Sequence, residues 1–308
     1  MVGSFELRGC LPALVTPLTP EREIDDRGVA ALVRRALADA AAGVLVAGST
    51  GEGTLLEPEQ RAQLTRIARD TIDNAGDPGP NSPSGRPPLL LAGASGPTVS
   101  GLHADVARLT LAGADAALVL APHTYPLTPE ELADLHLEVA EHAELPTLVY
   151  HIPQLTGSAL TPEGVGRVAR HPNVAGMKDS SPDAVRRAEF VEAVREIDDF
   201  DVVTGHAPTL LQALRAGVAG SITAIANLRQ WQVVALSAAV AADDPKAERL
   251  QEGLTRLSAA IGDVGASVPA VLKAALQLDG LITERWCRPP LRSIPPQRLD
   301  QVRTALMR

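Results

Sequence analysis

An α/β fold, a (β/α)8 barrel followed by additional C-terminal helices, is the class that this sequence of 308 residues predicts. Three observations predict it. Short apolar runs alternate with helical periodicity eight times, each beat taking roughly 25 to 30 residues. Aromatic residues make up only 2% of the chain, so the core has to be packed from Ala, Val, Leu and Ile, which suits parallel strands covered by helices. No Gly-x-Gly-x-x-Gly follows a first strand, which places the barrel ahead of a doubly wound open sheet. The expected division is a catalytic barrel over 1–240 and a helical extension over 241–308 packed on it.

The first strand is the apolar run 9–16, stopped by Pro17, and an alanine-rich helix over 26–42 follows it. A second strand over 43–48 breaks at the small-residue turn Ser49-Thr-Gly-Glu-Gly53, ahead of a helix over 57–73. Proline and glycine crowd 75–88, so this stretch reads as a loop or insertion within the domain. Strands over 89–93 and 116–121 bracket a helix over 98–112. The next helix opens at Thr128, with Pro129 at its first position and Glu131 three residues on, the spacing of a capping box. Strand five covers 146–151, Thr161-Pro-Glu starts another helix, and strand six covers 173–178. Strands over 201–205 and 220–225, with helices over 208–216 and 230–241, complete the eight.

The net charge of -9 and pI near 5.3 exclude a nucleic-acid surface, as no Lys/Arg cluster with interleaved aromatics occurs. Cys10 and Cys287 form neither metal-ligand spacing nor a disulfide framework, which fits a reducing compartment. No basic segment precedes an apolar run at the start, and no stretch approaches membrane-spanning length. A cytoplasmic enzyme with no membrane partner is the expectation.

Only three of the 28 basic residues are lysines, Lys178, Lys246 and Lys273. Arginine stays protonated, whereas a lysine in an apolar pocket can give up its proton and attack a carbonyl. Active sites of (β/α)8 barrels lie at the carboxyl ends of the strands. The polar residues there are Thr16, Ser49, Thr50, Ser95, Tyr150, His151, Lys178, Asp179, His206 and Thr223, with Gly205 beside them. Lys178 is the only amine among them, and the chemistry it offers is a Schiff base with a keto acid. Tyr150, one strand earlier, either packs or reaches the same cavity. The turn 49–53 offers two hydroxyls and unhindered N–H groups, a cradle for a carboxylate. His151 is expected to alternate away from the pocket, His206 either to touch the distal end of a substrate or to begin a helix, and Asp179 to cap a helix at the surface. No His/Asp/Glu group has metal-motif spacing, and no Gly-x-Ser-x-Gly elbow is present.

Together, Gly48-Ser-Thr-Gly-Glu52, Tyr150-His-Ile-Pro-Gln-Leu-Thr-Gly157, Gly176-Met-Lys-Asp179, Gly205 and Gly220-Ser-Ile222 resemble the dihydrodipicolinate synthase and N-acetylneuraminate lyase family, pyruvate-type class I aldolases and lyases. The resemblance runs from about Gly9 to the end. It implies that Lys178 forms the Schiff base and that Tyr150 relays protons. Ser49 and Thr50 hold the keto acid's carboxylate, Thr50 also belonging to the relay. Gly205 and Ile222 line the pocket, and His206 lies where a substrate's distal end would be. It further implies a homo-oligomer, a dimer or tetramer, that takes pyruvate and an aldehyde and needs no cofactor.

Three positions depart from the pattern. Leu155 stands where the synthases have an arginine for a second substrate carboxylate. His206-Ala207 replaces the acidic pair of sialate lyases. Thr124 falls where an intersubunit tyrosine is usual, with Tyr125 next to it. The strand and Gly-Met-Lys-Asp-Ser context look most like 4-hydroxy-2-oxoglutarate or 2-keto-3-deoxy sugar-acid aldolases. The leading expectation is therefore an aldolase acting on a 4-hydroxy-2-keto acid. A synthase-type condensation or keto-acid dehydratase is one alternative, and a keto-acid-binding protein with little turnover is the other.

Overall fold

The computed structural model describes residues 5–75 and 87–307; most of the proline-rich stretch lies outside them. Eight parallel strands run in chain order: β1 (Gly9–Pro12), β2 (Gly43–Val46), β3 (Leu89–Ala94), β4 (Ala116–Leu120), β5 (Thr147–His151), β6 (Val174–Asp179), β7 (Asp201–Thr204) and β8 (Gly220–Thr223). Neighbours in sequence are neighbours in the sheet, and β8 pairs with β1. The ring closes where Ala13 bridges Leu45 and the Leu14 N–H donates to the Leu45 carbonyl at 2.9 Å. This is the expected (β/α)8 barrel.

Strand side chains alternate between two apolar compartments. Leu11, Leu45, Leu91, Leu118, Leu148, Val203 and Ile222 fill the lumen. Val44, Val46, Leu90, Ala117, Val119, Val149, Met177 and Val202 face outward into the layer beneath the helices. That layer is covered by α1 (Asp26–Ala38), α2 (Pro58–Asp73), α3 (Val99–Leu111), α4 (Pro129–His142), the single turn α5 (Pro153–Thr156), α6 (Pro162–Ala169), α7 (Ala184–Ala193), α8 (Leu210–Arg215) and α9 (Ala226–Ala241). Beyond the eighth unit, α10 (Lys246–Asp263), α11 (Val268–Leu278) and α12 (Leu299–Leu306) follow, α10 and α11 packing on α9 and α12 on both.

Local chemistry explains most boundaries. Thr128 and Glu131 form the capping box read from the sequence, each side chain taking the other's backbone N–H, with Pro129 inside it. The first helix stops four residues short of expectation, at Ala38. Ala40 adopts φ 59°, its N–H donating to Leu37 O and that of Ala41 to Ala36 O. This is a Schellman ending with alanine in the place usually taken by glycine, so composition carried no stop signal. The last barrel helix starts four residues earlier than expected, at Ala226, and bends at Arg229 (φ -138°, ψ 42°).

On the inner face of α4, His136 is buried and its Nε2 has no hydrogen-bond partner among the described residues. Burial, and secondarily the proximity of His151, lowers its pKa from 6.5 to about 4. The unfolded chain therefore takes up a proton below about pH 6.5 that the folded chain refuses until about pH 4. Stability should fall by up to about 3 kcal/mol as pH drops through that window. Urea unfolding of wild type and His136→Leu at several pH values checks this: the variant should show a clearly shallower slope, and equal slopes would refute it.

Candidate active site

Because β6 alternates, Lys178 points into the lumen and Asp179 out of it. Lys178 is only 4% exposed, and strand pairing sets it directly beside Tyr150 on β5. Its Nζ lies 4.3 Å from the centroid of the tyrosine ring. The Tyr150 hydroxyl reaches across the barrel mouth to Ser49, donating to Oγ at 3.1 Å. Amine, phenol and a turn hydroxyl from three separate strand ends thus converge on one site. The hydroxyl bonded to Tyr150 belongs to Ser49, whereas the resemblance placed Thr50 in the proton relay. Thr50 is the next residue of the same turn and half-buried.

The turn after β2 is tightly held. Glu52 takes φ 59° and its N–H donates to Ser49 O at 3.2 Å, while Gly53 N–H donates to Gly48 O at 3.0 Å. A Cβ on Gly53 would lie 1.7 Å from the Ala47 carbonyl oxygen, so only glycine fits. Thr16 serves this turn rather than the cavity, its hydroxyl donating to Gly51 O at 2.6 Å. From α2 the buried Arg61 donates to the carbonyls of Gly53, Leu56 and Ser95 and pairs with the buried Asp105 of α3 at 2.9 Å. Ser95 is consumed in the same contact, its N–H donating to Asp105.

Gly205 leaves the room that Lys178 needs. A Cβ there would lie 2.9 Å from Lys178 Cε and 2.1 Å from the hydroxyl oxygen of Ser180. Ser180 is therefore a wall of the same cavity, two residues beyond the lysine and held by Gln154, whose side-chain amide donates to its carbonyl at 2.8 Å. Sequence reasoning missed Ser180, although the period-two alternation that assigns Lys178 also carries it to that side. Ile222 lies in the lumen as expected. Thr223 is fully buried. Leu155 is 60% exposed, and both Thr124 and Tyr125 are exposed on the loop after β4.

Asp179 departs most from expectation. It is fully buried rather than a surface cap; Asp183 caps α7 instead, accepting from the Arg186 N–H at 2.9 Å. The Leu160 N–H donates to His151 Nε2, which leaves the proton on Nδ1 to donate to Asp179 at 2.8 Å. The other carboxylate oxygen pairs with Arg187 Nε at 2.7 Å and accepts from the Ser181 hydroxyl at 3.0 Å. Burial opposes the charge, but the His151 hydrogen bond and the Arg187 guanidinium hold the carboxyl below its usual range. His151 thus lies outside the pocket, as read from the alternation.

Arg187 continues the network to Thr209 Oγ1 at 3.1 Å, and that hydroxyl lies 3.0 Å from Nδ1 of the half-buried His206. Burial, then the charge of Arg187, lower the pKa of His206. The imidazole at the end of this network is consequently a neutral hydrogen-bonding group.

No group of possible metal ligands lies at the barrel mouth among the described residues. One gathers elsewhere, His103, Glu138 and His142, with ligand atoms within 4.8 Å of one another. The two imidazoles stack at 4.6 Å with 26° between planes, so their in-plane lone pairs run side by side and do not converge on an ion. A cleft of about 690 Å³ at the opposite end of the strands, lined by Phe5, Arg8, Asp198 and Asp201, holds no lysine, cysteine or histidine among the described residues.

Comparisons with known proteins bear on the family and the fold. A family model described as the dihydrodipicolinate synthetase family matches residues 6–308. A 4-hydroxy-tetrahydrodipicolinate synthase of Methanoculleus marisnigri is 29% identical, with 97% of each chain covered. One from Methanopyrus kandleri is 30% identical over 94% of this chain and 91% of that protein. Among solved structures, YagE from E. coli K12, a prophage protein of the dihydrodipicolinic acid synthase family in complex with pyruvate, superposes with a TM-score of 0.87 at 26% identity, covering 98% of both chains.

Removing the guanidinium behind the site strands a buried carboxylate. Arg187→Leu should cost about 3 to 5 kcal/mol of stability. Equilibrium unfolding in urea measures it, and a loss below about 1 kcal/mol would show that Asp179 does not depend on this partner.

Proposed function

This chain belongs to the dihydrodipicolinate synthetase family, and from that premise we propose that it joins pyruvate, held as an imine on Lys178, to an aldehyde. The observation that carries the proposal is the lumenal amine of Lys178, 4.3 Å from the Tyr150 ring centroid, with the Tyr150 hydroxyl bonded to Ser49. The Lys178 amine attacks the keto carbon, the carbonyl oxygen leaves as water, and the protonated imine becomes an electron sink. A methyl proton then departs through Tyr150 and Ser49, giving an enamine. Its terminal carbon attacks the aldehyde, whose oxygen takes the proton back, and water hydrolyses the imine to free Lys178. Run in reverse, the same steps cleave the bond between C3 and C4. Ser49, Thr50 and the N–H groups of their turn hold the carboxylate. The pyruvate bound to YagE supports this choice of keto acid.

For the aldehyde, the names of the relatives support a synthase-type condensation, the alternative to the aldolase that the sequence led with. The second carboxylate and ring nitrogen of 4-hydroxy-tetrahydrodipicolinate must then come from an amino aldehyde bearing a carboxylate. Two observations favour the aldolase of 4-hydroxy-2-keto acids as the second reading. Leu155 offers no cation to a second carboxylate, and the Ser180 hydroxyl beside Lys178 Cε suits a substrate hydroxyl. The exposed Tyr125 supports a homo-oligomer, with a neighbouring copy as the partner for that loop. No single helix among the described residues is long and apolar enough to cross a membrane.

Borohydride treatment with and without pyruvate, followed by peptide mass mapping, tests the imine: an adduct on Lys178 is expected, and none should form in Lys178→Ala. A folded wild type that traps no pyruvate would refute the proposal. Product analysis with a carboxylated amino aldehyde, and separately with a 4-hydroxy-2-keto acid, decides between condensation and cleavage; trapping without either product would point to the keto-acid-binding protein.

Tyr150→Phe should lower turnover by roughly 10²- to 10⁴-fold while weakening pyruvate binding far less. Equal losses would make Tyr150 a packing residue. Gly205→Ala should reduce adduct formation by at least about tenfold with the fold intact, because the new methyl displaces Lys178 Cε. An undiminished adduct would show that the lysine has other room.

A further inference from the structure

We propose that the buried ion pair between Lys273 and Glu52 positions the turn that holds the substrate carboxylate, making the C-terminal helices part of the binding site. The inference rests on the keto-acid reading of that turn. Lys273, from α11, and Glu52, from the turn after β2, are both fully buried and paired through Lys273 Nζ and Glu52 Oε1. Each also binds the segment beyond α11. Glu52 Oε2 accepts the Arg288 N–H at 2.6 Å, and Lys273 Nζ donates to Trp286 O at 2.6 Å. Arg22, from the loop after β1, fixes that segment from the other side, donating to Cys287 O at 2.5 Å with its guanidinium 4.5 Å above the Trp286 ring.

Stability alone does not account for such a pair, since desolvating two charges offsets most of their attraction and an apolar pair of similar size would serve as well. What only an anchored carboxylate does here is hold Glu52 at φ 59°, a conformation that non-glycine residues keep only where their surroundings dictate it. Glu52 closes the turn by donating its N–H to Ser49 O. Its rotation would move Ser49 and Thr50 together. The anchor therefore acts on the hydroxyls facing the substrate without touching the substrate itself. Lys273 and Glu52 are positioning residues, while bond making stays with Lys178 and Tyr150.

This role predicts a penalty that depends on the substrate's carboxylate. Lys273→Met and the double variant Glu52→Gln/Lys273→Met, which leaves no unpaired buried charge, are compared with wild type by borohydride trapping on Lys178. Pyruvate and methyl pyruvate, whose ester removes the negative charge, are the two probes. In both variants the half-saturating pyruvate concentration should rise by roughly tenfold or more, the size of one lost charge-assisted hydrogen bond. Trapping at saturation, and half-saturation by methyl pyruvate, should stay within about twofold of wild type. A folded variant with unchanged half-saturation by pyruvate, or with the same penalty for both ketones, overturns the positioning role and leaves the pair as a tie between barrel and C-terminal helices. Should Lys273→Met not fold, the double variant decides on the same criteria. Failure of wild type to trap pyruvate overturns the keto-acid reading and this inference with it, so the two failures are distinguishable.

Discussion

The alternation of side chains along β6 is the constraint on which the rest depends. Two adjacent residues, Lys178 and Asp179, could neutralise one another in any loop. On a strand they cannot meet, because one points into the lumen and the other beneath the helices. The amine is left facing Tyr150, Leu and Val side chains and the hydroxyls of the barrel mouth. The carboxylate is satisfied elsewhere, by His151, Arg187 and Ser181. Closure of the barrel keeps that separation rigid, since β6 is paired on both edges.

Each strand end then contributes through the shape of the loop it leads into. After β7, the absence of a side chain at Gly205 gives Lys178 its space. The turn after β2 presents Ser49 to Tyr150 from almost the opposite side of the ring. Behind β6, the network through Arg187 and Thr209 reaches His206, so the outer layer supports both the strand of Lys178 and the loop after β7. The loops around Lys178 are positioned by charges buried among helices together with their own glycines, Gly53 and Gly205.

That division also explains which features were legible in the sequence. Strand count, barrel closure and the lumenal side of Lys178, Tyr150 and Ile222 follow from period-two patterning, which is local. The capping box at Thr128 was legible for the same reason. Asp179 was misread because its partner Arg187 lies on α7 and looks like one more solvated arginine until the helix docks. Arg61 and Lys273 hide in the same way: in sequence each is an isolated cation in a helix, and only tertiary packing shows it buried against Asp105 or Glu52. The choice between Ser49 and Thr50 as neighbour of Tyr150 depends on the direction of a tight turn, to which residue spacing is blind.

Both of those hidden cations converge on the turn after β2. Arg61 takes the carbonyls of Gly53 and Leu56 at its far end, and Lys273 takes the side chain of Glu52 at its centre. A turn of small residues would otherwise sample many conformations, because glycine is permissive and left-handed Glu52 is strained. Two buried ion pairs from separate parts of the chain select one of them. Leu155, on the single turn α5, and Thr124, on the loop after β4, depart from the expected pattern and are exposed instead. In the proposed reading the carboxylate cradle is thus held by the packed interior, where change is costly, while positions 124 and 155 are exposed and can vary without disturbing the core.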